Sequence, residues 1–146
     1  MYVNTDDRYF DLGKGVRGWS KGREVTFHPK TTDVTNLLYG VSRWMINDQS
    51  RFSSRLVSTL QETLRSHAES VHSPFLQRWM NSDSPRPSSK DDGSAIICVI
   101  PVALAAGTLP EAISSARFVA SSLCSSSDAI NASEALGQAI WMARHG

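Results

Sequence analysis

At 146 residues the chain has room for one hydrophobic core and needs no metal or disulfide staple to build it. Its 15 Lys plus Arg nearly match its 14 Asp plus Glu, for a formal net charge of +1, so no global field draws it to nucleic acid or to an anionic membrane. Cys98 and Cys124 lack any CxxC or Cys/His spacing, which sets aside a zinc site and a disulfide framework and leaves two reduced, buried thiols as the expectation.

The start, Met1-Tyr2-Val3-Asn4-Thr5-Asp6-Asp7, carries acids where a signal peptide carries basic charge, and no apolar run follows; a cytoplasmic protein is expected. Residues 1–31 hold Gly13, Gly15, Gly18, Gly22 and Pro29 and keep no period, so they read as an irregular or short-strand segment. Within it Gly13-Lys14-Gly15-Val16-Arg17-Gly18 imitates the glycine spacing of a phosphate loop, without the preceding strand or the Gly-Lys-Ser/Thr ending that such a loop needs. Trp19, set among glycines and flanked by Arg17 and Lys21, is the tryptophan placed for a protein contact, and these three are the protein-contact candidates.

From Thr32 the pattern turns helical. Val34, Leu37, Leu38, Val41, Trp44 and Met45 recur on one face, with Thr32 or Asp33 as N-cap and an end near Asn47. Phe52, Leu56, Val57, Leu60 and Leu64 make the stripe of a second helix, with Arg55, Gln61, Glu62 and Arg65 expected to face water. Ser73-Pro74 opens a third, shorter helix with Phe75, Leu76, Trp79 and Met80 behind it. Residues 81–93, rich in Ser and Pro, bury too little apolar area to order themselves and read as a surface loop.

The remainder predicts three more helices. The run from Ala95 to Ala106 is apolar nearly all round and therefore central, with Pro101 marking a kink or a break; at about 12 residues it falls short of the roughly 20 needed to span a bilayer. Thr108-Leu109-Pro110-Glu111 is a capping box that starts a helix through Ile113, Ala116, Arg117, Ala120 and Leu123. Ser125-Ser126-Ser127-Asp128 starts another, with Ile130, Ala135, Leu136, Ala139, Ile140 and Ala143 along it. The many Ala and Ser of these two helices allow their axes to approach closely. An all-α domain of five or six helices, preceded by the glycine-rich segment, is the fold these patterns predict.

The segment Asp92-Gly93-Ser94-Ala95-Ile96-Ile97-Cys98-Val99-Ile100-Pro101-Val102-Ala103-Leu104 resembles the Gly/Asn-Gly-Ala-x-Met-Arg-x-x-Pro-x-x-Leu segment of the ADP-ribosylglycohydrolases. Pro110-Glu111-Ala112-Ile113, leading through Leu123-Cys124-Ser125 to Asn131-Ala132, is similar to the family's next helix and turn, and Thr32-Asp33-Val34-Thr35 resembles its Thr-Asp-Asp-Thr metal-binding helix start. The resemblance implies an all-α fold and Mg²⁺-dependent hydrolysis of ADP-ribose conjugates. It further implies ligand-binding roles for Thr32, Asp33, Thr35, Gly93 and Ser94, with Asp33 the metal candidate. Four departures work against that chemistry. Valine at 34 gives hard Mg²⁺ no oxygen where the family supplies a carboxylate. Cys98 and Ser125 stand where an arginine and a histidine are common, and no late Asp-x-Asp-Thr motif appears before Gly146.

Each candidate also has a plainer reading. Thr and Asp are what a helix amino terminus prefers with or without a metal, and the pairs Asp6-Asp7 and Asp91-Asp92 sit in polar segments as solvated acids. His28, His67, His72 and His145 lack spaced partners, and Ser125-Ser126-Ser127 lacks a nucleophile elbow. Trp44, Trp79 and Trp141 fall on helical faces and read as core. The leading expectation is a non-catalytic, ADP-ribosylglycohydrolase-like protein without a cofactor. It acts by binding a protein partner, as an inhibitor or an effector in a host cytoplasm, or by binding an ADP-ribose-containing ligand. The competing readings are an active Mg²⁺-dependent hydrolase in which Asp91, Asp92 or Asp128 completes the shell around Asp33, Thr32 and Thr35, and a helical interaction module unrelated to that family. A partner that bridges two copies would make a homodimer.

Overall fold

Helix α1 (Asp33–Asn47) begins with a side-chain cap: the Thr32 hydroxyl accepts the Thr35 amide at 3.2 Å while the Thr32 backbone stays extended. The computed structural model describes residues 32–48, 55–90 and 93–146. The chain divides after Lys30, and Thr31–Gly146 is a unit of its own. The protein-contact candidates Arg17, Trp19 and Lys21, the glycine-rich segment, Phe52, and the Asp91-Asp92 pair lie outside the described residues.

Leu37, Val41 and Trp44 form the buried stripe of α1, and Leu56, Leu60 and Leu64 that of α2 (Arg55–Ser66). The two helices approach closely because Gly40 puts no side chain between them; a Cβ there would lie 2.7 Å from Leu60 Cδ2. Gln61, expected to face water, is instead buried. Its amide nitrogen donates to the carbonyls of Trp79 and Ser82, each at 2.9 Å, so a polar residue on the apolar side of α2 fastens the following helix. A 3₁₀ turn (Ala68–Ser70) leads to α3 (Pro74–Met80), where Ser73 is the cap and Pro74 sits in the first turn, as the sequence predicts.

The apolar run from Ala95 to Ala106 becomes two short helices, α4 (Ser94–Ile97) and α5 (Ile100–Ala105), separated at Cys98 and Val99. Pro101 is the reason. It has no amide to donate and is tolerated in the first turn of a helix, not in the middle of one. Ala95, Cys98, Val99, Val102, Ala103 and Ala106 are buried, whereas Ile97, Leu104 and Ala105 are exposed, so the run contributes one face to the core and is not enclosed on all sides.

Helices α6 (Leu109–Leu123) and α7 (Ser127–His145) form an antiparallel hairpin, the most extensive helix pair. Thr108 caps α6 through the Glu111 amide at 3.2 Å, whereas the Glu111 carboxylate accepts from Gly107, one residue beyond the position a capping box would use. The buried seam of α7 is Ala129, Ser133 and Gly137; Ala135, Ala139 and Ala143 face solvent, and Ile130, Leu136 and Ile140 are half-buried. The smallest side chains win the seam because the axes are so close: a Cβ on Gly137 would lie 2.9 Å from the Ala112 carbonyl oxygen and 3.0 Å from Ala116 Cβ. Arg117 and Glu134 form an ion pair across the same hairpin.

Helix α1 packs on α2, α4 and α5, and α4 and α5 pack in turn on the α6–α7 hairpin. Trp44 stacks on Phe118 with ring centroids 6.0 Å apart, joining α1 to α6 inside a single core. The described residues contain no strand, only an isolated bridge between Ser88 and Cys124, and none of their helices is long and apolar enough to cross a membrane. The all-α fold is therefore the observed one.

Candidate functional site

The first turn of α1 brings Thr32, Asp33 and Thr35 together, and the contacts of all three are with the protein itself. Thr32 Oγ1 lies 3.0 Å from Thr35 Oγ1 in addition to capping the helix. Asp33 Oδ1 accepts the His72 amide at 2.8 Å and Oδ2 accepts the Ser73 amide at 2.9 Å. One turn on, the buried Asn36 donates to Ser70 Oγ at 3.1 Å. This ladder ties the start of α1 to the 3₁₀ turn and the start of α3, some 40 residues later in the chain. A carboxylate between two helix starts interacts favourably with both sets of unpaired amides. Hydrogen bonds to a charged acceptor contribute about 1.5–3 kcal/mol, and the half-exposed Asp33 belongs at the lower end of that range.

Gly93 and Ser94, the other two ligand-binding candidates, lie at the start of α4, which packs against α1. Gly93 is the N-cap with φ +78°, a conformation that a side chain makes costly, and its carbonyl accepts the Ile96 and Ile97 amides, both at 3.1 Å. Its glycine is thus required by the backbone. Ser125, at the position where the resemblance places a histidine, donates from its backbone amide to the Ser88 carbonyl at 2.8 Å and holds the 81–90 segment in place. Among the described residues no three His, Cys, Asp or Glu side chains gather as a metal would require. Glu62 pairs with Arg43, Glu134 with Arg117, and Asp128 stands in the exposed first turn of α7. His67 bonds the Thr63 carbonyl within its own helix end, and His145 stacks on Trp141 with ring centroids 4.1 Å apart. Cys98 and Cys124 are buried and not disulfide-bonded, as their sequence context predicts.

The feature that sequence reasoning missed is a groove of about 240 Å³ between α3 and the chain that follows it. Phe75, Arg78 and Trp79 supply one wall, at the i, i+3 and i+4 positions that share a helix face. Ser82, Ser84, Pro85 and Arg86 supply the other. Trp79 is buried and its Nε1 has no acceptor among the described residues, Phe75 and Pro85 are half-buried, and both arginines are exposed.

The second wall belongs to the Ser/Pro-rich segment expected to be a loop without order of its own. It is a strap fastened at both ends. Gln61 holds the Ser82 carbonyl; the Ser88 amide donates to Leu123 O at 2.8 Å, and Cys124 Sγ lies 3.6 Å from the Lys90 carbonyl. The segment is too polar to order itself, and α2 and the α6–α7 hairpin order it by hydrogen-bonding its backbone, donating to the Ser82, Ser88 and Lys90 carbonyls and accepting the Ser88 amide. The arrangement offers apolar surface from Phe75 and Pro85, two guanidinium groups and two hydroxyls, with no carboxylate among the described residues that line it.

Compared with protein-family models, with curated proteins and with solved structures, the chain has no match in any of the three.

Proposed function

We propose that this chain acts by binding a protein partner, as a non-catalytic, ADP-ribosylglycohydrolase-like helical protein of the inhibitor or effector type. The observation that carries the reading is the use to which Asp33 is put: both carboxylate oxygens accept backbone amides, from His72 and Ser73, so the acid that a hydrolase would turn toward a metal serves as a tie between helices. The neighbouring Val34 adds an isopropyl group where a dication would need an oxygen. Thr32 and Thr35 are engaged with each other. Cys98 and Ser125, which replace an arginine and a histidine in the resemblance, serve packing and the strap respectively.

Isothermal titration of the full chain with Mg²⁺, with ADP-ribose, and with both together tests this reading. No saturable heat is expected in any of the three, and wild-type and Asp33→Asn chains should behave alike. ADP-ribose binding that requires Mg²⁺ and disappears in Asp33→Asn would establish the hydrolase-like site instead.

A further inference from the structure

We infer that the groove between α3 and the strap is the docking site for an acidic segment of a partner protein, one in which carboxylate side chains flank an aromatic or large apolar residue. The inference rests on the reading that the protein acts by binding another protein, and it names where and by what chemistry.

Charge is the first argument. The whole chain carries a formal net charge of only +1, yet this one groove has two guanidinium groups in its lining and no acid. Among the described residues neither Arg78 nor Arg86 has an ion-pair partner, and Asp83, the acid nearest in sequence, is exposed and outside the lining. Guanidinium is a planar donor that matches a carboxylate in pairs of hydrogen bonds, and one stands on each wall. An anion entering the groove would therefore meet donors from both sides.

Size decides between a small molecule and a side chain. Sites that enclose whole small-molecule ligands span about 300–1,000 Å³. At about 240 Å³ the groove is below that range and suits one aromatic ring with its neighbours, laid on the half-buried Phe75 and Pro85 above the buried Trp79 while flanking acids reach Arg78 and Arg86. Aromatic anchors in a pocket with a charged rim are what protein interfaces use for most of their affinity. The walls are also pre-formed. One is a helix, and the other is a strap held at Ser82 by Gln61 and at Ser88 by Leu123, so little conformational freedom is lost when a partner binds.

The test uses the full-length ¹⁵N-labelled chain and two amidated peptides, Glu-Phe-Glu and its neutral counterpart Gln-Phe-Gln, with phenyl phosphate as a ring-plus-anion probe that has no peptide backbone. The expected result is a saturable perturbation of the Phe75, Trp79 and Arg86 amide resonances and the Trp79 indole resonance by Glu-Phe-Glu, at least tenfold weaker for Gln-Phe-Gln. The Arg78→Gln plus Arg86→Gln double variant should lose it by tenfold or more while keeping its thermal midpoint, because both side chains are exposed. Arg78→Lys plus Arg86→Lys should regain part of it, and added salt should weaken it. Equal binding of the two peptides, perturbation that leaves the groove resonances unmoved, or binding of phenyl phosphate alone would each overturn the proposal, the last by making the groove a site for a free small anion. These outcomes are independent of the Mg²⁺ and ADP-ribose titration, so a failed groove and a failed binding-only reading are told apart.

Discussion

Asp33 is one residue with two incompatible jobs on offer, and geometry separates them. As a tie it matters to stability. Asp33→Asn turns one acceptor oxygen into an amide donor facing the amide of His72 or Ser73, so urea unfolding should show a loss of about 1.5 kcal/mol, the lower end of the range for such bonds. A variant as stable as wild type would mean that these two bonds contribute nothing and that the acid is free for another role. Gln61 shows the same lesson from the opposite direction. Its place in the sequence, beside Glu62 at the edge of the leucine stripe, reads as exposed, and only the approach of α3 and the strap brings two carbonyls to it. Burying an amide is expensive unless it is paired, and here it is paired twice.

Among the elements, the amino-terminal caps were the best-read feature of the sequence. Thr32, Ser73, Thr108 and Ser126 each accept an amide from the first turn of the helix they precede. Capping is local chemistry that needs only a hydroxyl or carboxylate at the right offset, so it is written in a few consecutive residues. Thr32→Ala should therefore cost about 1 kcal/mol, while Thr32→Ser and Thr32→Asp should recover most of it. Chemical denaturation of the three variants checks this, and an Asp variant no more stable than the Ala variant would show that Thr32 is held for something other than its cap. The faces of the elements were read less well than their ends. On α7 the seam falls to Ala129, Ser133 and Gly137, in keeping with the close approach that its small residues allow, because what enters a seam depends on how near the neighbouring helix comes.

For the whole molecule, two glycines set the spacing of two helix pairs, and they should respond differently to the same change. At Gly137 a new Cβ meets the Ala112 carbonyl oxygen at 2.9 Å, and backbone cannot move without separating α6 from α7. At Gly40 it meets Leu60 Cδ2 at 2.7 Å, the far end of a side chain that can turn aside. Overpacking costs typically about 1–3 kcal/mol, against the roughly 1 kcal/mol that alanine gains over glycine in a helix interior. Gly137→Ala should thus lose about 1–2 kcal/mol net, and Gly40→Ala should be close to neutral, both read from thermal or urea unfolding. A Gly137→Ala chain more stable than wild type would mean that α6 and α7 are not in close contact there.

By itself the sequence determined the all-α class, the starts of α1, α3, α6 and α7, an interruption of the apolar run next to Pro101 and the burial of both cysteines, because periodicity, capping and the missing proline amide act within a turn or two of chain. Only the tertiary structure decided that Asp33 bridges to residues some 40 positions away, that a polar Ser/Pro segment is strapped down, and that Arg78 and Arg86 line one groove together with Phe75 and Trp79. Those facts depend on which elements meet, and a meeting of distant elements leaves no periodic trace in either partner.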